Sequence, residues 1–178
     1  MIDIETMSST HNAAVLAIGL VQFDPETMNI GRMLEVRCTL SSMRDLGRDI
    51  DPNTVEWWLS QSEEAQKMLL AEPRFSDPVA MMARVHEFLK SCGGQLCLWA
   101  KDPTFDLAIL HHLADQLKVR WAGHFSREYS VRTMLLLATM NNWKEPFERQ
   151  PGVKHGALSD AIHQARQVMD VMARMKST

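Results

Sequence analysis

The sequence predicts an α/β fold built around a mixed sheet. Three observations predict it: an extended N-terminal part, a short apolar stretch in the middle that follows two glycines, and helical periodicity over most of the remaining chain. Strands followed by helices that alternate with further strands are typical of α/β proteins. The 178 residues are 46% hydrophobic and 23% charged, which is an ordinary globular composition, so we expect one domain over residues 1–178.

Five segments are predicted to be strands. Residues 2–5, 13–24 and 33–40 are rich in apolar residues and are joined by short connections, which favours an antiparallel meander. Residues 95–100 form the short apolar stretch and are predicted to be a buried strand. A weaker signal over residues 128–131 gives the fifth strand.

Helical patterns account for most of the other residues. Asp102 is predicted to be the N-cap of a helix that runs to about residue 117, because a proline follows it at the first helical position. The remaining predicted helices are residues 54–70, 78–91, 132–141 and 157–175.

Four carboxylates are candidate metal ligands. Asp3 and Glu5 alternate with Ile4 on the first strand, so both point to one face, where they repel each other unless a cation lies between them. Asp106 lies in the first turn of the helix after the fourth strand, and Asp160 lies near the start of the final helix. Each has an ordinary explanation when taken alone, but together they offer hard oxygen ligands, which favour Mg²⁺ or Mn²⁺ over zinc.

His155 precedes Asp160 in the pattern His-x4-Asp. Histidine changes protonation near neutral pH, which suits a general base that acts on water. Gly152 and Gly156 flank it, so we expect a flexible approach to the final helix. A site with two metals, held by carboxylates, stabilises both the attacking and the leaving oxygen of an in-line phosphoryl displacement. The combination therefore indicates phosphodiester hydrolysis.

The three motifs resemble those of the DEDDh-type 3′–5′ exonucleases of the DnaQ-like group. The matching stretches are residues 1–6 (MIDIET), 98–110 (LWAKDPTFDLAIL) and 155–165 (HGALSDAIHQA), in the family's order over nearly the whole chain. The resemblance implies a ribonuclease H-like fold, with a central mixed five-stranded sheet flanked by helices. It also implies release of nucleoside 5′-monophosphates from the 3′ end of RNA or DNA, and it suggests a homodimer.

The resemblance also implies roles for individual residues. His155 matches the mobile general base, and Thr6 and Met7 match positions that contact the terminal nucleotide. The residues that it implies as ligands of two divalent cations, Mg²⁺ or Mn²⁺, are Asp3, Glu5, Asp106 and Asp160.

Residues 54–62 (TVEWWLSQS) resemble a branch of this family that holds phage-type exodeoxyribonucleases and related bacterial exoribonucleases. Trp57 and Trp58 have rings of the kind that stack on bases, and we take Trp58 as a predicted nucleic-acid contact. The alternative is a core position, because Trp58 shares an apolar helix face with Val55 and Leu59.

Two observations depart from the family pattern. Only Met1 and Ile2 precede Asp3, so either the true start lies upstream or the first strand is short. Asp102 is a fifth carboxylate that the pattern does not require.

The alternatives to the exonuclease are a non-catalytic nucleic-acid-binding module on the same fold and an endonuclease or other phosphodiesterase with similar metal chemistry. A hydrolase that uses Ser159 is excluded, because the sequence around it lacks the context of a nucleophile elbow.

Charge and composition bear on three further classes of protein: nucleic-acid-binding proteins, proteins held by disulfides or zinc, and membrane or secreted proteins. The net charge of −3 is unusual for a nucleic-acid-binding protein, but two divalent cations would add +4 and bring the net charge to +1, with the added positive charge at the place where the phosphate binds. The three cysteines contain no C-x-x-C pair, so neither a disulfide framework nor a zinc site is indicated. No apolar run approaches the roughly 20 residues of a membrane span, and no cationic leader is present. We therefore expect a cytoplasmic protein without a membrane segment.

Overall fold

The structure, a computed structural model, describes residues 1–144 and 155–177. Within these ranges the five strands of the sheet are β1 Ile2–Thr6, β2 Val15–Asp24, β3 Asn29–Arg37, β4 Leu98–Ala100 and β5 Glu128–Ser130. Their order across the sheet is β3-β2-β1-β4-β5. β1 to β3 pair antiparallel, whereas β4 is parallel to both β1 and β5. The mixed five-stranded sheet and its antiparallel meander are therefore confirmed.

The described residues also form seven α-helices, which flank the sheet as the ribonuclease H-like fold requires. They are α1 Leu40–Asp45, α2 Pro52–Leu59, α3 Glu63–Leu69, α4 Pro78–Ser91, α5 Asp106–Leu117, α6 Val131–Met140 and α7 Ala157–Lys176. In the part of the chain that the structure covers, none of these helices combines the length and apolar character that crossing a membrane demands.

Side chains along β1 alternate between the two faces of the sheet. Ile2 and Ile4 belong to the larger hydrophobic cluster, which α4 and α5 cover. A second cluster, formed in large part by α6 and α7, lies on the opposite face. Asp3 points to this second face, since its carboxylate accepts a hydrogen bond from α7. Glu5, two residues along the strand, points the same way.

The single helix predicted over residues 54–70 is wrong. α2 ends at Leu59, and α3 begins at Glu63 after Ser62, whose side chain accepts a hydrogen bond from the backbone N–H of Ala65. A serine that caps a new helix N-terminus competes with continuation of the helix before it. The short helix α1 was not predicted.

The predicted N-cap role of Asp102 is also wrong. α5 begins four residues later, and its N-cap residue, Phe105, makes no side-chain cap hydrogen bond. The Oδ1 atom of Asp102 instead accepts hydrogen bonds from the backbone N–H and the hydroxyl of Thr104, at 3.2 and 2.6 Å. These bonds form a turn before α5. The backbone N–H of Asp102 donates to Oδ2 of Asp106 at 3.2 Å, so the turn helps to orient Asp106.

Candidate active site

Asp3 and Glu5 lie on β1, in the middle of the sheet. All five residues of this strand are buried, and the Asp3 and Glu5 side chains are each only 9% exposed. Neighbouring strands occupy both edges of β1, so its backbone is held on both sides. The sheet therefore fixes two carboxylates in a largely dry environment on the face that α7 covers.

Asp160 joins these two carboxylates from the first turn of α7. One carboxylate oxygen each of Asp3, Glu5 and Asp160 lies within 4.8 Å of the others. The structure thus brings Asp160 to two carboxylates that precede it by more than 150 positions in the sequence. Oxygen donors at this spacing are suited to a hard divalent cation.

Gly19 allows α7 to approach the sheet this closely. It lies on β2 directly opposite Asp3, and a Cβ atom built on it would come within 2.3 Å of the backbone of Ala157. Only a residue without a side chain fits at that position, because the obstructing atoms are backbone atoms. The absence of a side chain at position 19 therefore sets the distance between Asp3 and the start of α7.

Replacing Gly19 by alanine is expected to displace α7 and weaken metal binding. Overpacking in a core costs about 1–3 kcal/mol, and here the displaced element carries Asp160. The unfolding temperature of the metal-free variant should decrease, and so should its affinity for Mn²⁺. Gly31→Ala is the matched control on β3, because its Cβ would meet only the side chain of Gln22, at 3.2 Å. Equal Mn²⁺ affinity in Gly19→Ala and the parent would contradict this role.

Asp106 approaches the cluster from α5, on the other side of β1. It is 4% exposed and accepts backbone hydrogen bonds from Asp102 and Ile4. It lies outside the group of three that meets within 4.8 Å, but its charge acts on Asp3 and raises the pKa of that carboxyl group. Of the four predicted ligands, the structure therefore gathers three closely and places the fourth beside them.

Burial and mutual repulsion raise the pKa values of these carboxyl groups. Burial, followed by the charge of Asp106, raises the pKa of Asp3 well above its ordinary value. Burial, followed by the charge of Asp3, raises the pKa of Glu5 to about 9, and burial raises the pKa of Asp106 to about 6. Buried carboxylates without a compensating charge are costly, and a divalent cation supplies that charge. The residues present therefore fit a metal site.

The metal-free protein is expected to lose stability as the pH rises. Glu5 has an ordinary pKa of 4.5, which the fold raises to about 9, so the folded state binds more protons than the unfolded state between these values. Stability contributed by the bound proton is complete below the lower value and is lost as the pH rises through the upper one. Thermal unfolding in chelator should show this decline, and saturating Mn²⁺ should reduce it. A metal-free protein that gains stability across this range would contradict a buried, protonated cluster.

His155 lies directly before α7, with Gly156 between them. Its backbone is in the left-handed region, with φ of 63°, and its side chain is half-buried. The imidazole ring packs against Trp57 in an edge-to-face contact, with 4.9 Å between the ring centroids. Gly152, the other glycine of the predicted flexible approach, lies outside the described residues. The structure therefore places His155 at the start of the helix that carries Asp160, next to an indole ring.

Trp57 and Trp58 have opposite environments. Trp58 is 4% exposed, and its indole N–H donates to the carbonyl of Thr6 at 3.0 Å, so it packs in the core and supports the end of β1. Trp57 is 43% exposed and is the one with surface available to a ligand. The geometry argues against base stacking on Trp58, because burial leaves almost none of its ring accessible.

Thr6 is the last residue of β1, and Met7 follows it. Both are buried, at 7% and 6% exposure. The Thr6 hydroxyl donates to the carbonyl of Ser8 at 2.8 Å, and the Met7 N–H donates to the carbonyl of Ala14 at 2.9 Å. These backbone and hydroxyl groups are engaged within the protein, so their contact with a terminal nucleotide stays a prediction.

Two residues with a bearing on the site were missed in the sequence. Gly19 is a lone glycine in an apolar strand, which is a known sign of close backbone approach. Gln164 follows Asp160 by four residues on α7 and hydrogen-bonds to Asp3. Its spacing puts it on the same helix face as Asp160, and this was the available signal. Asp102, the extra carboxylate, is bonded to Thr104, lies 3.5 Å from Arg132 and is not part of the group of three.

Comparisons with known proteins bear on this arrangement. A family model described as the 3′–5′ exoribonuclease Rv2179c-like domain matches residues 1–172. The exodeoxyribonuclease of Enterobacteria phage T4 is 29% identical over 125 residues, which cover 62% of this chain and 52% of the phage protein. The chain thus spans about half the length of that relative. The range matched by the family model includes every carboxylate of the acidic cluster.

Proposed function

Because the chain belongs to the 3′–5′ exoribonuclease Rv2179c-like domain family, we propose that it is a metal-dependent 3′–5′ exonuclease. Its substrate is single-stranded or overhanging nucleic acid with a free 3′ end, and its products are nucleoside 5′-monophosphates. The observation that carries this proposal is the meeting of the Asp3, Glu5 and Asp160 carboxylates within 4.8 Å on a buried sheet face.

The carboxylates would hold two divalent cations, Mg²⁺ or Mn²⁺. Asp3, Glu5 and Asp160 supply the clustered oxygens, and Asp106 supplies a further carboxylate from the α5 side. When bound, the cations stabilise negative charge at the phosphate that is cleaved. The rigid β1 strand orients its two ligands, and the close packing of α7 on Gly19 orients the third.

His155 is the proposed general base. Its imidazole accepts a proton from the water that attacks phosphorus, while the bond from phosphorus to the 3′ oxygen of the preceding nucleotide breaks. The departing 3′ oxygen takes up a proton from solvent, so the products are a nucleoside 5′-monophosphate and a chain shortened by one nucleotide. The Trp57 ring, in contact with the imidazole, restricts where the base is held.

Two alternative functions, a non-catalytic binding module and an endonuclease, differ from the exonuclease in what they predict. A non-catalytic binding module would gain nothing from three carboxyl groups gathered within 4.8 Å of one another, so this cluster favours catalysis. An endonuclease would cleave circular or 3′-blocked substrates, which an exonuclease of this type leaves intact.

An experiment distinguishes RNA from DNA as the substrate, because the matched family is described as an exoribonuclease domain and the phage relative as an exodeoxyribonuclease. We would incubate the protein with matched 3′-labelled and 5′-labelled RNA and DNA oligonucleotides in Mg²⁺ or Mn²⁺. Mononucleotide release from 3′-labelled ends, with a ladder of shortened 5′-labelled products, is expected. Binding without hydrolysis in either metal would contradict the proposal. A single domain over residues 1–178, a cytoplasmic location and a homodimer stay predictions.

A further inference from the structure

Gln164 is a buried polar residue that touches the acidic cluster. It lies on α7, one turn after Asp160, and is 4% exposed. Its Nε2 atom donates a hydrogen bond of 2.7 Å to Oδ1 of Asp3. Because both partners are buried, solvent does not replace this bond when it is lost.

The other end of the same amide is unsatisfied. Oε1 of Gln164 is buried and accepts no hydrogen bond from any residue that the structure describes. A buried carbonyl oxygen without a donor destabilises the folded state. An apolar side chain of similar length would avoid this cost and would pack against the alanines and Val168 that surround it on α7. The fold alone therefore does not account for glutamine at this position.

The hydrogen bond has a clear effect on Asp3. An N–H donor on one carboxylate oxygen restricts rotation of the group about its Cβ–Cγ bond and favours its ionised form. The bond to Gln164 lowers the pKa of Asp3, opposing the larger upward effect of burial. The bond to Gln164 engages Oδ1 alone, so it leaves the second oxygen of the Asp3 carboxylate free of this contact.

We propose that Gln164 is a positioning residue, which holds the Asp3 carboxylate in the orientation that a divalent cation requires. The inference rests on the proposed function, because it takes Asp3 as a metal ligand. α7 then contributes twice to the site: Asp160 as a ligand and Gln164 as the partner that orients a ligand on β1. Replacing a residue that hydrogen-bonds to a metal ligand typically lowers metal affinity or activity by about 10–100-fold.

The test compares Gln164→Met with Gln167→Met. Both glutamines are buried on α7, at 4% and 7% exposure, but of the two only Gln164 hydrogen-bonds to Asp3 within the described part of the chain. Mn²⁺ affinity is measured by calorimetry, and thermal unfolding is followed in chelator. We expect Gln164→Met to fold and to bind Mn²⁺ about 10–100-fold more weakly than the parent. Gln167→Met should keep the parent's Mn²⁺ affinity. The turnover of Gln164→Met should recover largely at saturating Mn²⁺.

A merely structural role would lower the unfolding temperature and leave the Mn²⁺ affinity of the folded fraction unchanged. Parent-like affinity in Gln164→Met would overturn the proposal, and so would failure of both Gln164→Met and Gln164→Leu to fold. Asp160→Asn separates this inference from the proposed function. If Asp160→Asn loses Mn²⁺ and Gln164→Met does not, only the positioning role is wrong. If the parent itself neither binds Mn²⁺ nor hydrolyses nucleic acid, both are wrong.

Discussion

Replacing Asp160 by asparagine is expected to reduce exonuclease activity more than about 100-fold. Loss of a residue that only hydrogen-bonds to a metal ligand already lowers metal affinity or activity by about 10–100-fold. The amide keeps the shape of the carboxylate but removes the charge that α7 brings to the cluster. Mn²⁺ should stabilise the parent by mass action, and the variant should lose most of that stabilisation. Hydrolysis of a 3′-labelled oligonucleotide and thermal unfolding with and without Mn²⁺ measure the two effects.

Asp102→Asn is the matched control for this experiment. Asp102 is a nearby carboxylate, but its oxygens are engaged by Thr104 and lie 3.5 Å from Arg132. The control should respond to Mn²⁺ as the parent does, whereas Asp106→Asn should lose much of the response. An Asp160→Asn protein with the parent's Mn²⁺ stabilisation would remove Asp160 from the ligand set.

Replacing His155 by alanine is expected to lower turnover by about 10²–10⁴-fold, the usual contribution of a general base. Mn²⁺ stabilisation should remain close to that of the parent, because the carboxylates are intact. Imidazole accepts a proton only when it is neutral, so the parent should lose activity on acidification in part through His155. The variant should lack that contribution to the acid limb of the pH–rate profile, measured at saturating metal.

His11→Ala is the control, since His11 is exposed and belongs to none of the motifs. It should leave both turnover and the acid limb unchanged. If His155→Ala kept full turnover and the same acid limb, His155 would not be the base, and the resemblance to the DEDDh group would no longer hold for this residue. The prediction that the carboxylates bind metal would be unaffected, because the asparagine variants test it separately.

Local sequence patterns were enough to predict the parts of the site that lie within one element. The two-residue period of a strand puts Asp3 and Glu5 on one face, and the structure places both on the face that α7 covers. The resemblance to DnaQ-like 3′–5′ exonucleases is confirmed at the level of the family, and the mixed five-stranded sheet follows it. Helical periodicity also indicated a core position for Trp58, as the alternative to base stacking.

Features that depend on contact between distant elements were not predictable in the same way. The approach of Ala157 to Gly19, and the bond from Gln164 to Asp3, exist only when α7 packs on the sheet. Asp102 was misinterpreted because an Asp-Pro pair marks turns as well as helix starts. Nothing local distinguishes the turn that precedes Asp106 from the first turn of a helix.

The acidic cluster is built from β1 and α7, which lie far apart along the chain, and this has a consequence during protein synthesis. Asp3 and Glu5 are translated first, but Asp160 and Gln164 come more than 150 codons later, on the last helix of the described chain. A nascent polypeptide that has not yet released α7 from the ribosome therefore lacks the complete acidic cluster. The order of elements along the chain thus delays completion of the acidic cluster until α7 has docked on the sheet.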